Sequence, residues 1–297
     1  WVLGIKVTRD RAARKIILSQ SLYVKDLVQK FAGHLTDITR RFDTPLSDSI
    51  VYDTSQCPAP ESPEANEMTS YHAHYMSIIG ALHWLLCTRV DLTYTVSVLS
   101  RFVNNPGMLH YKALQRVLAY LSSTSDMSLT LQATTGTPRG LDLYSDASWD
   151  SKFSTSGSLI QYNGAPVVWY SRLQRSVVHS TAEAEYVAAS LACREGLFIC
   201  ELLEDLGQKT PKPIPLYLDC KSAIDMAFDP VAFKKTKHIL REAFYLRDLV
   251  AREIFKPSHV PSRLQKADIF TKPLPRPLFV PARDSLLTAT DENESPQ

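Results

Sequence analysis

The chain has 297 residues, 44% of them hydrophobic and 22% charged, with a formal net charge of +2. The length fits two domains of ordinary size, and the apolar fraction is too high for a disordered chain. So small a net charge excludes binding to nucleic acid through the overall field, leaving local clusters to do it. No apolar run is long enough to cross a bilayer and no charged-then-apolar leader is present, so no membrane partner is expected. The five cysteines, Cys57, Cys87, Cys193, Cys200 and Cys220, form no C-x-x-C pair, which argues against zinc; an odd count without a secretory signal fits reduced thiols inside the cell.

In chain order, Trp1-Val2-Leu3-Gly4 reads as a buried strand, so the chain is expected to begin inside a domain. A turn and a second strand, Ile16-Ile17-Leu18-Ser19-Gln20, precede a helix with Tyr23, Leu27, Val28 and Phe31 on one face, capped by Ser19 or Ser21. Residues 43–63 are rich in Pro, Ser, Asp and Glu and read as a loop. Apolar residues at helical spacing between Tyr75 and Phe102 predict two packed helices broken near Thr88-Arg89-Val90-Asp91. A third helix covers 110–122. The polar stretch 133–140 is the expected domain boundary, giving a first domain of 1–138, a second of 139–280, and a disordered tail of 281–297.

The second domain opens on the strand Leu141-Asp142-Leu143-Tyr144-Ser145-Asp146. Strands over 158–162 and 165–171 flank Asn163-Gly164, a hairpin signal because both residues tolerate positive φ. A long helix runs from Thr181 to about Leu206 and stops at Gly207. There follow a strand at 214–219, a helix at 222–228, a basic helix at 237–251, a strand at 253–259 and a short helix near 267–271. Three strands followed by alternating helices and strands predict a mixed α/β sheet.

Four acids fall at element ends: Asp146, Glu185, Asp219 and Asp268. Such an all-oxygen set suits Mg²⁺ or Mn²⁺. Two such ions about 4 Å apart activate a water and stabilise the leaving oxygen of a phosphodiester. A single Asp at a strand end is more often a turn or cap residue, so the case rests on the set. Between the neighbouring glutamates, Ser180-Thr181-Ala182-Glu183 fits a capping box and gives Glu183 a structural task. Glu185 lies about 200° further round the helix, beside the apolar stripe of Tyr186, Ala189, Cys193, Leu197 and Cys200, and is favoured as the ligand.

Tyr144-Ser145-Asp146-Ala147-Ser148-Trp149, Ser154-Thr155-Ser156-Gly157, Trp169-Tyr170-Ser171-Arg172-Leu173-Gln174, Ser180-Thr181-Ala182-Glu183-Ala184-Glu185-Tyr186, Leu218-Asp219-Cys220-Lys221-Ser222-Ala223, Thr236-Lys237-His238-Ile239 and Ala267-Asp268-Ile269-Phe270-Thr271-Lys272-Pro273-Leu274 resemble, in this order, the ribonuclease H of Ty1/copia-type retrotransposons. The resemblance implies a ribonuclease H-like mixed sheet with flanking helices. It also implies two-ion hydrolysis of the RNA strand of an RNA–DNA hybrid, with Asp146, Glu185, Asp219 and Asp268 as metal ligands and catalytic residues. Cys220 departs from the family's usual Asn.

The first half, with Leu3-Gly4-Ile5, Leu18-Ser19-Gln20, Tyr23-Val24-Lys25-Asp26-Leu27, Thr44-Pro45-Leu46, Ile78-Ile79-Gly80-Ala81-Leu82, Thr88-Arg89-Val90-Asp91-Leu92 and Leu99-Ser100-Arg101-Phe102, resembles the palm end, thumb and connection of the same polyprotein's reverse transcriptase. An upstream polymerase part is therefore an expected partner, and the chain is read as a fragment of such a polyprotein. The sequence holds no Tyr-x-Asp-Asp motif, so the chain itself is not expected to polymerise DNA.

Lys234, Lys235, Lys237, His238 and Arg241 form the densest basic cluster and are the expected contacts to the hybrid's phosphates, with Arg247 beside them and Arg101, Lys112 and Arg116 as weaker candidates. His259 precedes Asp268 at a distance where some ribonucleases H carry a histidine, so the resemblance implies a part in proton transfer or product release, and it reads equally as the end of a strand. Two competing readings are a relic or module that binds nucleic acid without cutting it, and an integrase. The Asp, Glu, Asp, Asp order of the acids disfavours the integrase. The expected location is inside the cell, in a virus-like particle or the nucleus.

Overall fold

A computed structural model describes residues 1–34, 41–132, 140–149, 153–228 and 239–290. The chain divides into two compact units, one of residues 1–131 with 273–297 and one of residues 132–272. The second unit therefore starts a few residues before the expected boundary and ends eight before 280. Among the described residues, no helix is long and apolar enough to cross a membrane.

In the first unit, strands β1 (Lys6–Asp10) and β2 (Lys15–Ser19) form an antiparallel hairpin. Helix α1 (Ser21–Lys30) follows. Its cap position is Gln20 with no side-chain cap, though Ser19 Oγ accepts from the Ser21 N–H at 3.3 Å. Trp1, Val2 and Leu3 are 69%, 59% and 82% exposed, correcting the expected buried strand. Leu3 and Gly4 take positive φ in a tight turn closed by reciprocal hydrogen bonds between Val2 and Ile5, so the apolar run turns back on itself instead of extending.

Helix α2 (Pro63–Leu85) starts earlier than its apolar spacing predicts, because Ser62 caps it, accepting from the Ala65 N–H, and Pro63 opens its first turn. A 3-10 turn at Val90–Leu92 then leads into α3 (Thr93–Ser100), and α4 (Met108–Ser123) completes the helical layer.

Strand β3 (Met127–Gln132) was not foreseen. Neither was the order within the expected disordered tail: part of helix α8 (Arg276–Asp284) and strand β9 (Leu287–Ala289) lie there, with β9 antiparallel to β3. Buried Phe279, Leu286 and Leu287 account for this, as they give an otherwise polar segment an apolar face. Residues 291–297 lie outside the described part.

The second unit is a five-stranded sheet in the order β6-β5-β4-β7-β8. Its strands are β4 (Leu141–Ser148), β5 (Thr155–Tyr162), β6 (Ala165–Leu173), β7 (Ile214–Leu218) and β8 (Phe255–His259). The first three form an antiparallel meander, while β7 runs parallel to β4 and to β8, giving the mixed α/β sheet expected. Asn163 and Gly164 both take positive φ in the β5–β6 turn.

Helix α5 (Thr181–Asp205) crosses one face of this sheet, burying Ala184, Ala188, Ala189, Ala192 and Cys193 against Leu141, Leu143, Leu216 and Leu218. It ends in a Schellman motif: Gly207 N donates to Glu204 O, and Gln208 N to Leu203 O. Helices α6 (Lys221–Phe228) and α7 (Leu240–Ala251) connect β7 to β8. The short helix expected near 267–271 is a single 3-10 turn, Asp268–Phe270.

Candidate metal centre

The sheet topology brings together acids that are far apart in sequence. Asp146 lies two residues from the end of β4. Asp219 follows the last residue of the adjacent parallel strand β7. Glu185 sits in the second turn of α5, held in place by the cap: Ser180 Oγ accepts from the Glu183 N–H at 3.3 Å. Glu183 has the structural task foreseen, although its carboxylate reaches the His179 N–H at 2.7 Å and not that of the cap residue.

Asp146, Glu185 and Asp219 each offer a carboxylate oxygen, all within 4.8 Å of one another. Asp146 and Glu185 are only 2% and 3% exposed. Glu185 Oε1 accepts from the Ala147 N–H at 3.0 Å, whereas its Oε2 is buried with no hydrogen-bond partner among the described residues. Burial first, then the charge of Asp146, push the Glu185 carboxyl well above the ordinary carboxylate range. An all-carboxylate group with an unsatisfied buried oxygen fits a hard divalent cation, which would answer both the missing partner and the repulsion.

Asp268 is not among these three but interacts with Asp146. Its Oδ1 faces the Lys272 ammonium at 3.1 Å, and the same ammonium lies 3.9 Å from Asp146 Oδ2. Burial and then Asp146 raise the Asp268 carboxyl to about 6, against the pull of Lys272. Thr271 Oγ1 donates to Asp146 Oδ2, and Ser262 Oγ donates to Asp219 Oδ2 at 2.8 Å. Lys272, Thr271 and Ser262 were not singled out from the sequence. The signal available for Lys272 was its i+4 spacing from Asp268.

Gly157, which pairs with Asp146 across β4 and β5, allows the 267–271 turn to rest on the sheet. A Cβ there would stand 2.6 Å from Thr271 Cγ2, 2.8 Å from Phe270 Cβ and 3.1 Å from Ala267 O. Gly157→Ala is expected to cost about 1–3 kcal/mol by overpacking and to weaken divalent-ion binding by displacing Thr271 from Asp146. Thermal unfolding and a Mn²⁺ titration measure the two effects, and an unchanged melting temperature would rule out the close approach.

Without metal, the folded site holds a Glu185 proton that the unfolded chain releases above its ordinary value of 4.5. Stability from this group is therefore greatest below 4.5 and declines as pH rises above it. Divalent ions need the deprotonated site. The gain in melting temperature on adding Mg²⁺ should therefore be larger at about pH 8 than at about pH 6; a gain independent of pH would contradict the buried protonated Glu185.

Of the expected phosphate contacts, Lys234, Lys235, Lys237 and His238 lie outside the described residues, and Arg241 is exposed in the first turn of α7. Arg116 is committed to structure, donating to Thr44 O at 3.1 Å and Thr44 Oγ1 at 2.7 Å. His259 ends β8, exposed and paired in register with Leu218.

No family model matches the chain. The retrovirus-related Pol polyprotein from transposon TNT 1-94 of Nicotiana tabacum is 31% identical over 283 residues, 94% of this chain and 21% of that protein. The one from transposon RE2 of Arabidopsis thaliana is 32% identical over 286 residues, again 94% of this chain and 18% of that protein. Over 94% of its length the chain is similar to the Pol polyproteins of Ty1/copia-type transposons. It spans about a fifth of the length of these Pol relatives. Among solved structures, the chain is similar to the RNase H1 of Halobacterium salinarum at 18% identity and a TM-score of 0.32, over 44% of this chain and 93% of that one. The second unit, with its antiparallel β6-β5-β4 meander extended by parallel β7 and β8, has the mixed α/β sheet with flanking helices expected from the sequence.

Proposed function

We propose that the second unit is a ribonuclease H that hydrolyses the RNA strand of RNA–DNA hybrids using two divalent ions, Mg²⁺ or Mn²⁺. The observation carrying this reading is the buried carboxylate trio with its unpartnered Glu185 oxygen. Asp146, Glu185 and Asp219 would hold one ion, and Asp146 with Asp268 the other. Bound ions of this kind supply an activated water and stabilise the leaving oxygen.

The chain's own residues set up that chemistry. Thr271 and Ser262 orient Asp146 and Asp219 by donating to one oxygen of each, leaving the other oxygens for coordination. Lys272, 43% exposed, presents a positive charge at the rim beside Asp146 and Asp268, where an anionic phosphate would arrive. In this reading Arg241 and the lysines before it grip the hybrid backbone. In this reading residues 1–138 belong to the reverse-transcriptase part of the polyprotein (palm end, thumb and connection), and the upstream polymerase part of the same polyprotein is the partner, inside the cell.

The test is cleavage of labelled RNA–DNA hybrid, duplex RNA and duplex DNA in Mg²⁺ and in Mn²⁺. Cutting of the hybrid's RNA strand alone, abolished by EDTA, is expected. Hybrid binding by folded protein without cutting would favour a module that binds nucleic acid without hydrolysing it.

A further inference from the structure

The segment that follows β8 touches the metal-site acids or their backbones at several points, and Gln265 lies at its centre. β4 and β7 pair in parallel at Leu143↔Leu216 and Tyr144↔Tyr217, and the acids come just beyond these pairs, Asp146 on β4 and Asp219 after β7. Gln265 is 5% exposed and bridges the two strands at this level. Its Nε2 donates to Ser145 O at 2.9 Å and to Tyr217 O at 3.4 Å. Ser145 directly precedes Asp146, and Tyr217 lies two residues before Asp219. The same amide's Oε1 accepts from the Ala267 N–H at 3.2 Å, and Ala267 directly precedes Asp268. Flanking Gln265, Ser262 holds Asp219 from one side and Thr271 holds Asp146 from the other.

We propose that residues 262–272 act as a strap that fixes the spacing of the metal-binding acids, with Gln265 as its main positioning residue. This rests on the reading that those acids hold divalent ions. The physical reason lies in the geometry of the amide. A buried side chain with two donors and one acceptor, all engaged, locks three backbones in one arrangement. An apolar replacement takes a donor from the buried Ser145 carbonyl and the part-buried Tyr217 carbonyl and an acceptor from the buried Ala267 N–H, which favours a local shift of the strands. Outer groups that orient metal ligands typically change metal affinity by about 10–100-fold. A loosened site should also discriminate less against a larger cation such as Ca²⁺.

The experiment is titration of the full chain with Mn²⁺ and separately with Ca²⁺, at a temperature well below melting, with folding checked by far-UV circular dichroism. Gln265→Met is expected to weaken Mn²⁺ binding by about 10–100-fold and to narrow the preference for Mn²⁺ over Ca²⁺. A residue with only a structural role would lower the melting temperature and leave that preference unchanged. Folded Gln265→Met with wild-type Mn²⁺ affinity overturns the proposal. If wild-type chain binds no Mn²⁺, the metal-site reading fails and takes the strap with it, which distinguishes the two failures. If Gln265→Met does not fold, Ser262→Ala carries the test: the exposed hydroxyl is lost from Asp219, and an unchanged Mn²⁺ affinity overturns the strap.

Discussion

Asp146→Asn is expected to abolish divalent-ion binding and to lower hybrid cleavage by about 10³-fold or more, while raising the stability of the metal-free protein. The two effects share one cause. Asp146 is 2% exposed and faces Glu185 and Asp219 in a group whose oxygens all lie within 4.8 Å of one another. Removing its charge takes away several kcal/mol of attraction for a cation, which at about 1.4 kcal/mol per tenfold gives the loss of rate. The same change relieves like-charge repulsion in the metal-free site and lets Glu185 ionise more readily. A gain of about 1 kcal/mol would raise the melting temperature by roughly 2–4 °C for a unit of this size. Thermal unfolding with and without Mg²⁺, next to the cleavage assay, reads both. A variant that loses activity and also melts lower than wild type without metal would assign Asp146 a structural part instead.

What could be read from the sequence was what local rules encode. Asn163-Gly164 set the β5–β6 hairpin because both residues adopt positive φ. Gly207 ended α5 and Ser180 began it, and the competing task of Glu183 left Glu185 as the acid turned towards Asp146. Where local and non-local information disagreed, the reading failed. Leu287-Thr288-Ala289 carries little strand signal, yet it pairs with Met127-Ser128-Leu129 from the far end of its unit. Trp1-Val2-Leu3 looks like core and is exposed. The Ser62-Pro63 start of α2 was legible as a cap followed by Pro, but the polar composition around it concealed the signal. The strap residues were hidden for a different reason. Gln265 carries no sequence signal, Thr271 and Lys272 stood in the motif around Asp268 without a task of their own, and their partners Ser145, Tyr217 and Asp146 are supplied only by the folded sheet.

The second large effect is expected in the first unit, at the break between α2 and α3. Arg89 and Asp91 form a two-pronged ion pair, Nε to Oδ1 at 3.0 Å and Nη2 to Oδ2 at 2.7 Å, with side chains 1% and 0% exposed. Arg89 also donates to Thr124 O and Thr124 Oγ1, and Tyr120 OH donates to Asp91 Oδ2 at 2.6 Å. The network ties the loop after α2 to the end of α4. Burial alone would raise the Asp91 carboxyl, but Arg89 and the Tyr120 hydroxyl outweigh it and hold it below the ordinary range. Its contribution is therefore present above the ordinary carboxylate value and lost as pH falls through the depressed one. Arg89→Met strands a buried carboxylate and is expected to cost about 3–5 kcal/mol, lowering the melting of this unit by roughly 10 °C or more. The double variant Arg89→Met with Asp91→Leu removes both charges, and most of the loss should return, because buried pairs replaced by apolar groups of similar size are often neutral. Urea unfolding of the two single variants and the double variant measures the coupling. A double variant as unstable as the sum of its parts would mean that the two residues act separately, and that the Thr124 and Tyr120 hydrogen bonds, not the ion pair, hold the loop to α4.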